Sequence, residues 1–301
     1  MEAVVADRIM KKTTRRGPAL GAHMSIAGGF ERSIERGLKA GCDTIQIFSK
    51  SNNQWAAPPI KPEDVERFQE AARASGIGPV FAHTAYLINV GSPERLAWEK
   101  SREALKVEVE RADALGLAFV VHHPGSRKES DEEGCLKRIA EAVSWVLEKT
   151  PGSKVKVLYE IAAGQGSCVG HTFEHLSTLL ALTKPASRIG ICLDTCHLFA
   201  AGYDIRTKAA YEKTMGDFDR IVGIKHVEAI HLNDSKKELG CRVDRHEHIG
   251  RGRIGLEGFR CLMNDQRFRH VPMVLETPKD EETLAEDIRN LKVLRGLVNR
   301  G

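Results

Sequence analysis

Eight short apolar runs, each five or six residues long and almost free of polar alternation, recur along the chain at 19–23, 44–48, 79–83, 118–122, 156–160, 189–194, 227–232 and 272–276. Runs of that length without period-two alternation are expected of strands buried on both faces of a parallel sheet. Between and after them lie longer segments with helical spacing, at 29–39, 61–75, 93–115, 131–149, 171–183, 208–222, 256–265 and 281–298. Lys61-Pro62-Glu63-Asp64 and Ser92-Pro93-Glu94-Arg95 carry helix-start chemistry, and Gly41, Gly76 and Gly116 stand where helices stop. Eight strands alternating with eight helices predict an α/β fold, a (β/α)8 TIM barrel, as a single domain over residues 18–301. The rival, an open doubly wound sheet, is disfavoured because no Gly-x-Gly-x-x-Gly follows the first strand. Residues 1–17 have no hydrophobic period and carry Lys11, Lys12, Arg15 and Arg16, so they are expected to form a flexible tail.

With 301 residues, 42% hydrophobic and 29% charged, the chain can bury a large core and is neither collagen-like nor disordered in composition. No apolar run approaches the roughly 20 residues of a membrane helix, and no secretory apolar region follows the basic N-terminus, so neither membrane nor export is expected. The seven cysteines are odd in number, scattered, and free of Cys-x-x-Cys pairs, which points to a reducing compartment and to packing roles. The formal charge of +4 permits a polyanionic partner without requiring one.

Barrel enzymes place their chemistry at the C-terminal strand ends and the loops that follow. Here those ends read His83, His122-His123, Glu160, Asp194 with His197 shortly after, His231 and Glu276, and the loop after the seventh strand adds Asp244 and His246. Imidazole mixed with carboxylate suits zinc, manganese or iron and is unlike a thiolate structural site, so a polynuclear metal centre is the natural expectation. Two ambiguities stand at this level. Consecutive residues at a strand end point to opposite sides, so only one of His122 and His123 can face the metals. In an extended loop, His246 and His248 would point the same way, and the Asp-x-His spacing favours His246.

The stretches Gly190-Ile-Cys-Leu-Asp-Thr-Cys-His197, His231-Leu-Asn-Asp-Ser-Lys236, Arg242-Val-Asp-Arg-His246, His83-Thr-Ala-Tyr-Leu-Ile-Asn89, His123-Pro-Gly-Ser126 and Glu160-Ile-Ala-Ala-Gly-Gln-Gly166 resemble the endonuclease IV family of abasic-site DNA repair nucleases over residues 20 to 295. The resemblance implies three zinc ions. His83, His123 and Glu160 would hold one, Glu160 would bridge to a second completed by Asp194, His231 and Glu276, and His197, Asp244 and His246 would hold the third. It implies that a hydroxide bridging the first two zincs attacks the phosphodiester 5′ of an abasic site in duplex DNA, leaving a 3′-hydroxyl and a 5′-deoxyribose phosphate, with Glu160 the catalytic carboxylate. Trimming of blocked 3′ ends would follow from the same chemistry. Three Zn²⁺ against four carboxylates leave the rim electropositive, as a phosphate substrate needs.

By the same resemblance, Asn53, Gln54 and Trp55 form a DNA-probing loop and Tyr86 is inserted near the lesion, where a flipped-out nucleotide leaves a gap. Lys236 and Arg245, with Lys50, Arg251 and Arg253, are candidates for phosphate contacts. Two departures from well-known bacterial members stand out: Asn53 where those carry arginine, and Ile161-Ala162 where those carry Asn-Thr beside the bridging glutamate. The competing readings are a metal-dependent sugar isomerase or epimerase on a similar barrel, and a protein that binds abasic DNA without cutting it. The resemblance further implies a monomer, in the cytoplasm of a bacterium or in the nucleus or an organelle of a eukaryote.

Overall fold

The computed structural model describes residues 17–299, so all but the last residue of the expected tail lies outside the described residues. Eight parallel strands close into a barrel: Leu20–His23 (β1), Thr44–Phe48 (β2), Val80–His83 (β3), Phe119–His122 (β4), Lys156–Glu160 (β5), Ile189–Asp194 (β6), Val227–His231 (β7) and Met273–Leu275 (β8), with β8 pairing back onto β1. The α-helices are Phe30–Ala40 (α1), Pro62–Ser75 (α2), Arg95–Leu115 (α3), Glu132–Lys149 (α4), Phe173–Leu182 (α5), Thr195–Ala200 (α6), Lys208–Ile221 (α7), Gly255–Met263 (α8) and Ala285–Leu297 (α9). The expected TIM barrel is therefore the fold. Among the described residues no helix is long and apolar enough to cross a membrane.

The local chemistry accounts for the boundaries. Gly41, Gly76 and Gly116 end α1, α2 and α3 in the left-handed conformation, with φ of 78°, 68° and 72°, where a Cβ would be strained. Asp131 and Thr172 cap α4 and α5 by accepting from Gly134 N and His175 N. Beyond the eight expected strands, Gly125–Ser126 pairs with Cys168–Val169 and Asp234–Ser235 with His246–Glu247 in the rim loops, and two helices also depart from expectation. Helix α6 was not anticipated: Asp194 ends β6 and at once caps the next helix by accepting from His197 N at 2.8 Å. The last helix starts at Ala285 rather than 281, because Asp280 captures Glu282 N and Thr283 N in a turn that enters α9 through Leu284 at φ 57°.

Pleat parity places the site. A cluster of Phe81, Phe119, Val121, Leu158, Cys192, Ala229 and Val274, one or two residues from each of β3 to β8, is packed apart from the strand–helix core and fills the barrel axis. The Phe81 and Phe119 rings lie 4.6 Å apart, a contact worth about 0.5–1.5 kcal/mol beyond area burial. Two positions further along each chain the side chain returns to the same face, and those positions are His83, His123, Glu160, Asp194, His231 and Glu276. The apolar plug is thus the floor of the candidate centre.

Candidate metal centre

Among the described residues four overlapping groups of donors converge on the C-terminal rim, with ligand atoms inside each group all within 4.8 Å of one another. One is His83, His123 and Glu160; the second is Glu160, Asp194, His231 and Glu276; the third is Asp194, His197 and His246; and the fourth, Cys196, Asp244 and His246, shares His246 with the third. Glu160 sits at the middle, fully buried, with its two oxygens 3.0 Å from His83 Nε2, 3.4 Å from His123 Nε2, 2.9 Å from His231 Nδ1 and 3.2 Å from His197 Nδ1. The structure brings all nine sequence-selected side chains together.

Parity separates the paired histidines. His123 continues the Phe119–Val121 face toward Glu160, whereas His122 follows Val120 outward and contacts Thr84 Oγ1 through Nδ1 at 3.2 Å. His246 Nε2 lies 3.2 Å from Asp244 Oδ1 and 3.7 Å from Asp194 Oδ2, while His248 turns its Nδ1 to Asn290 Nδ2 at 3.2 Å.

Four of the five histidines have one ring nitrogen tied to an amide or carbonyl oxygen, which leaves the other facing the carboxylates. His83 Nδ1 donates to Thr84 O at 2.8 Å, His197 Nδ1 to Ile161 O at 3.0 Å, His246 Nδ1 to Glu276 O at 3.2 Å, and His231 Nε2 to Gln46 Oε1 at 2.8 Å. Such outer contacts fix the tautomer of a metal-binding imidazole. The free nitrogens of His197 and His246 are buried, lie 3.1 and 3.2 Å from Asp244 oxygens, and make no hydrogen bond of acceptable geometry. Nitrogens aimed at a shared point beside carboxylates, without bonding to them, fit a cation between them.

The electrostatics agree. Burial pushes the Glu160 carboxyl up, but the surrounding imidazoles, His123 and His231 foremost, hold it well below the usual range. Burial likewise lowers His246, and the adjoining carboxylates of Asp244 and Asp194 outweigh it, raising the imidazole to about 9. Burial pushes the Cys192 and Cys196 thiols up to about 12, which keeps them neutral and supports their expected packing roles.

Several residues of the site escaped the sequence. Gln46 donates to Glu276 Oε1 at 2.6 Å while accepting from His231, and Asn233 donates to Asp194 Oδ2 at 2.6 Å while its own oxygen accepts from Glu276 N at 2.8 Å. A glutamine inside the apolar run Thr-Ile-Gln-Ile-Phe was the readable signal. Asp234 accepts from the amides of Ser235, Gly250, Gly252 and Ile254 at 2.8–3.0 Å, which folds the long loop so that Asp244 and His246 reach the rim. Ile161 touches His197 through its carbonyl, so this orienting contact does not depend on the side chain at that position.

The expected DNA-facing residues divide. Tyr86 stands 65% exposed beside the centre, its ring 6.0 Å from His83. Asn53, Gln54, Lys236 and Arg245 are exposed, but Trp55 is half-buried under the Lys100 ammonium at 4.2 Å. Lys50 departs from its expected role: it is buried, donates to Gln54 O at 2.7 Å and faces Glu108 at 3.5 Å, so it is withdrawn from phosphate. Arg253 pairs with Glu238 at 3.1 Å on the surface.

A family model described as a xylose isomerase-like TIM barrel matches residues 34–294. A protein named probable endonuclease 4 from Chloroflexus aggregans is 48% identical over 281 residues, covering 93% of this chain and 98% of that protein. The crystal structure of endonuclease IV from Thermus thermophilus is 37% identical, covers 93% of this chain and 98% of its own, and superposes with a TM-score of 0.82. A D-tagatose 3-epimerase-like protein, 18% identical over 92% of this chain and 96% of its own with a TM-score of 0.69, shares the fold. On these grounds the chain belongs to the endonuclease IV family of xylose isomerase-like TIM barrels.

Proposed function

We propose that this protein is a zinc-dependent DNA repair endonuclease that hydrolyses the phosphodiester 5′ to an abasic site in duplex DNA, leaving a 3′-hydroxyl and a 5′-deoxyribose phosphate, and that it trims blocked 3′ ends at the same centre. The observation that carries this reading is the convergence of nine histidine and carboxylate donors in overlapping groups joined through Glu160, Asp194 and His246. His83, His123 and Glu160 would hold one zinc; Glu160, Asp194, His231 and Glu276 a second; and His197, Asp244 and His246 a third. Bound there, zinc supplies Lewis acidity that activates water near neutral pH and stabilises both the attacking and the leaving oxygens of a phosphoryl displacement.

The chain's own residues do the rest. Glu160 stays ionised under its ring of imidazoles and so can serve two groups at once. Gln46 and Asn233 fix the carboxylates of Glu276 and Asp194, and the backbone oxygens of residues 84, 161 and 276 fix three imidazoles. Beside the centre lies a cavity of about 280 Å³, bounded by His83, Tyr86, Asn89, His123, Ser126 and Asp244, of a size to take one sugar-phosphate unit. Tyr86 is placed to fill the space left by a base-less nucleotide, and the exposed Lys236 and Arg245 to meet the backbone. The enzyme would act as a monomer, in the cytoplasm if its source is bacterial.

The test is incubation of protein of measured metal content with a duplex carrying one abasic-site analogue, beside an intact duplex and a ketose. Cutting 5′ to the lesion with about three metals per chain supports the reading. Epimerisation of the ketose with no cutting overturns it in favour of a sugar enzyme, and tight binding without cutting in favour of a damage-binding protein.

A further inference from the structure

The two loops beside the centre are both fastened to one buried carboxylate on α3. Glu108 is 1% exposed; its Oε2 accepts from Ser49 Oγ at 2.7 Å, and its Oε1 accepts from Ala85 N at 3.2 Å and lies 3.5 Å from Lys50 Nζ. Lys50 then donates to Gln54 O at 2.7 Å, so the charge of Glu108 is relayed into the loop after β2. Other groups of the same helix continue the work. Arg111 donates to Ser49 O at 2.6 Å and to Pro58 O at 2.7 Å, and Lys100 lies over the Trp55 ring.

Residues 51–61 contain neither helix nor strand, so contacts of this kind are what give the segment a defined shape. A buried lysine facing a buried glutamate is costly to break, because the charge left behind has no partner. The second loop, held at Ala85 N, carries the neighbouring Tyr86 outward over the centre. One carboxylate therefore bonds to the first residues of both loops.

We propose that Glu108, acting through Lys50, Ser49 and Ala85, is a positioning residue for substrate recognition: it sets the relative placement of the 49–60 and 84–89 loops that flank the centre, and so governs how well duplex DNA is held without touching it. This rests on the nuclease reading. Loss of the anchor should weaken ground-state and transition-state binding alike, which raises KM and leaves kcat in place.

The experiment compares the zinc-loaded full chain with Glu108→Gln and Lys50→Met, reading KM and kcat on the abasic duplex, bound metal per chain, and amide hydrogen exchange across the protein. Expected is a rise of about tenfold in KM, a loss of about 1.4 kcal/mol of binding, with kcat and metal content unchanged and faster exchange confined to the two loops. Unchanged KM in folded variants overturns the proposal, whatever the exchange shows, and so does a fall in kcat or metal content without a rise in KM. Should Glu108→Gln not fold, Lys50→Met decides, because it leaves the Glu108 bonds to Ser49 and Ala85 in place. If the unaltered protein does not cut or bind abasic DNA, the nuclease reading fails; exchange alone then tests the anchoring, and unchanged loop exchange in both variants overturns it.

Discussion

Glu160→Gln isolates the charge at the middle of the centre while keeping its shape. The glutamate is fully buried and its two oxygens lie within 3.4 Å of four imidazoles, so the substitution removes the anion that joins the His83–His123 group to the Asp194–His231–Glu276 group. Taking one partner from a buried ionic cluster costs about 3–5 kcal/mol, and at about 1.4 kcal/mol per decade this corresponds to metal held roughly 10²–10⁴-fold more weakly at both groups. The third group, His197, Asp244 and His246, does not use Glu160 as a ligand and should keep its metal. After dialysis against a mild chelator, elemental analysis should find the variant with about one metal where the unaltered protein has about three, with cleavage of an abasic duplex falling by at least about 10²-fold. Abasic-DNA binding should remain measurable, because Tyr86 and the outer basic residues are unaltered. A variant that retains its full complement and cuts at the original rate would remove Glu160 from the mechanism and refute the bridging argument.

Other outcomes follow from the same geometry. His246→Ala should lower metal content by about one per chain, since His246 Nε2 faces Asp244 and Asp194; unchanged content would transfer the role to His248. In metal-free protein the His246 imidazole is raised to about 9 from 6.5, so its contribution to stability is fully present below pH 6.5 and is lost as pH rises to 9. Thermal melts of metal-free protein should therefore fall across that window while zinc-loaded protein does not, and calorimetry in two buffers should register proton release when zinc binds at about pH 7.5; parallel melts would contradict the shift. Tyr86→Ala, at a side chain 65% exposed, should change stability by no more than about 0.5 kcal/mol yet raise KM for the abasic duplex, and an unchanged KM would exclude it from the interface.

The barrel was legible because a (β/α)8 fold writes itself locally. Buried parallel strands such as 119–122 need continuous apolar runs, and helices such as α1 end at a residue like Gly41 that tolerates a positive φ. The ligand types were legible too, since His83, Glu160, Asp194 and His231 each close a strand; pleat parity along one strand allowed only one of His122 and His123 to face the centre, and the family resemblance selected His123. The family resemblance added the grouping of the donors, which strand ends alone do not dictate.

What only the tertiary structure decided depends on partners distant in sequence. Lys50 reads as a surface cation in an Asn-rich loop, but α3 brings Glu108 beneath it and the charge is consumed there. Gln46 and Asn233 are single polar residues with no local pattern, and they matter because closure of the sheet brings the ends of β2, β7 and β8 to one rim. Asp244 and His246 reach the rim because the Asp234 carboxylate gathers four amides of one loop. Periodicity is a property of the chain and can be read along it; hydrogen-bond and charge partners are a property of barrel closure, which no single stretch of sequence contains.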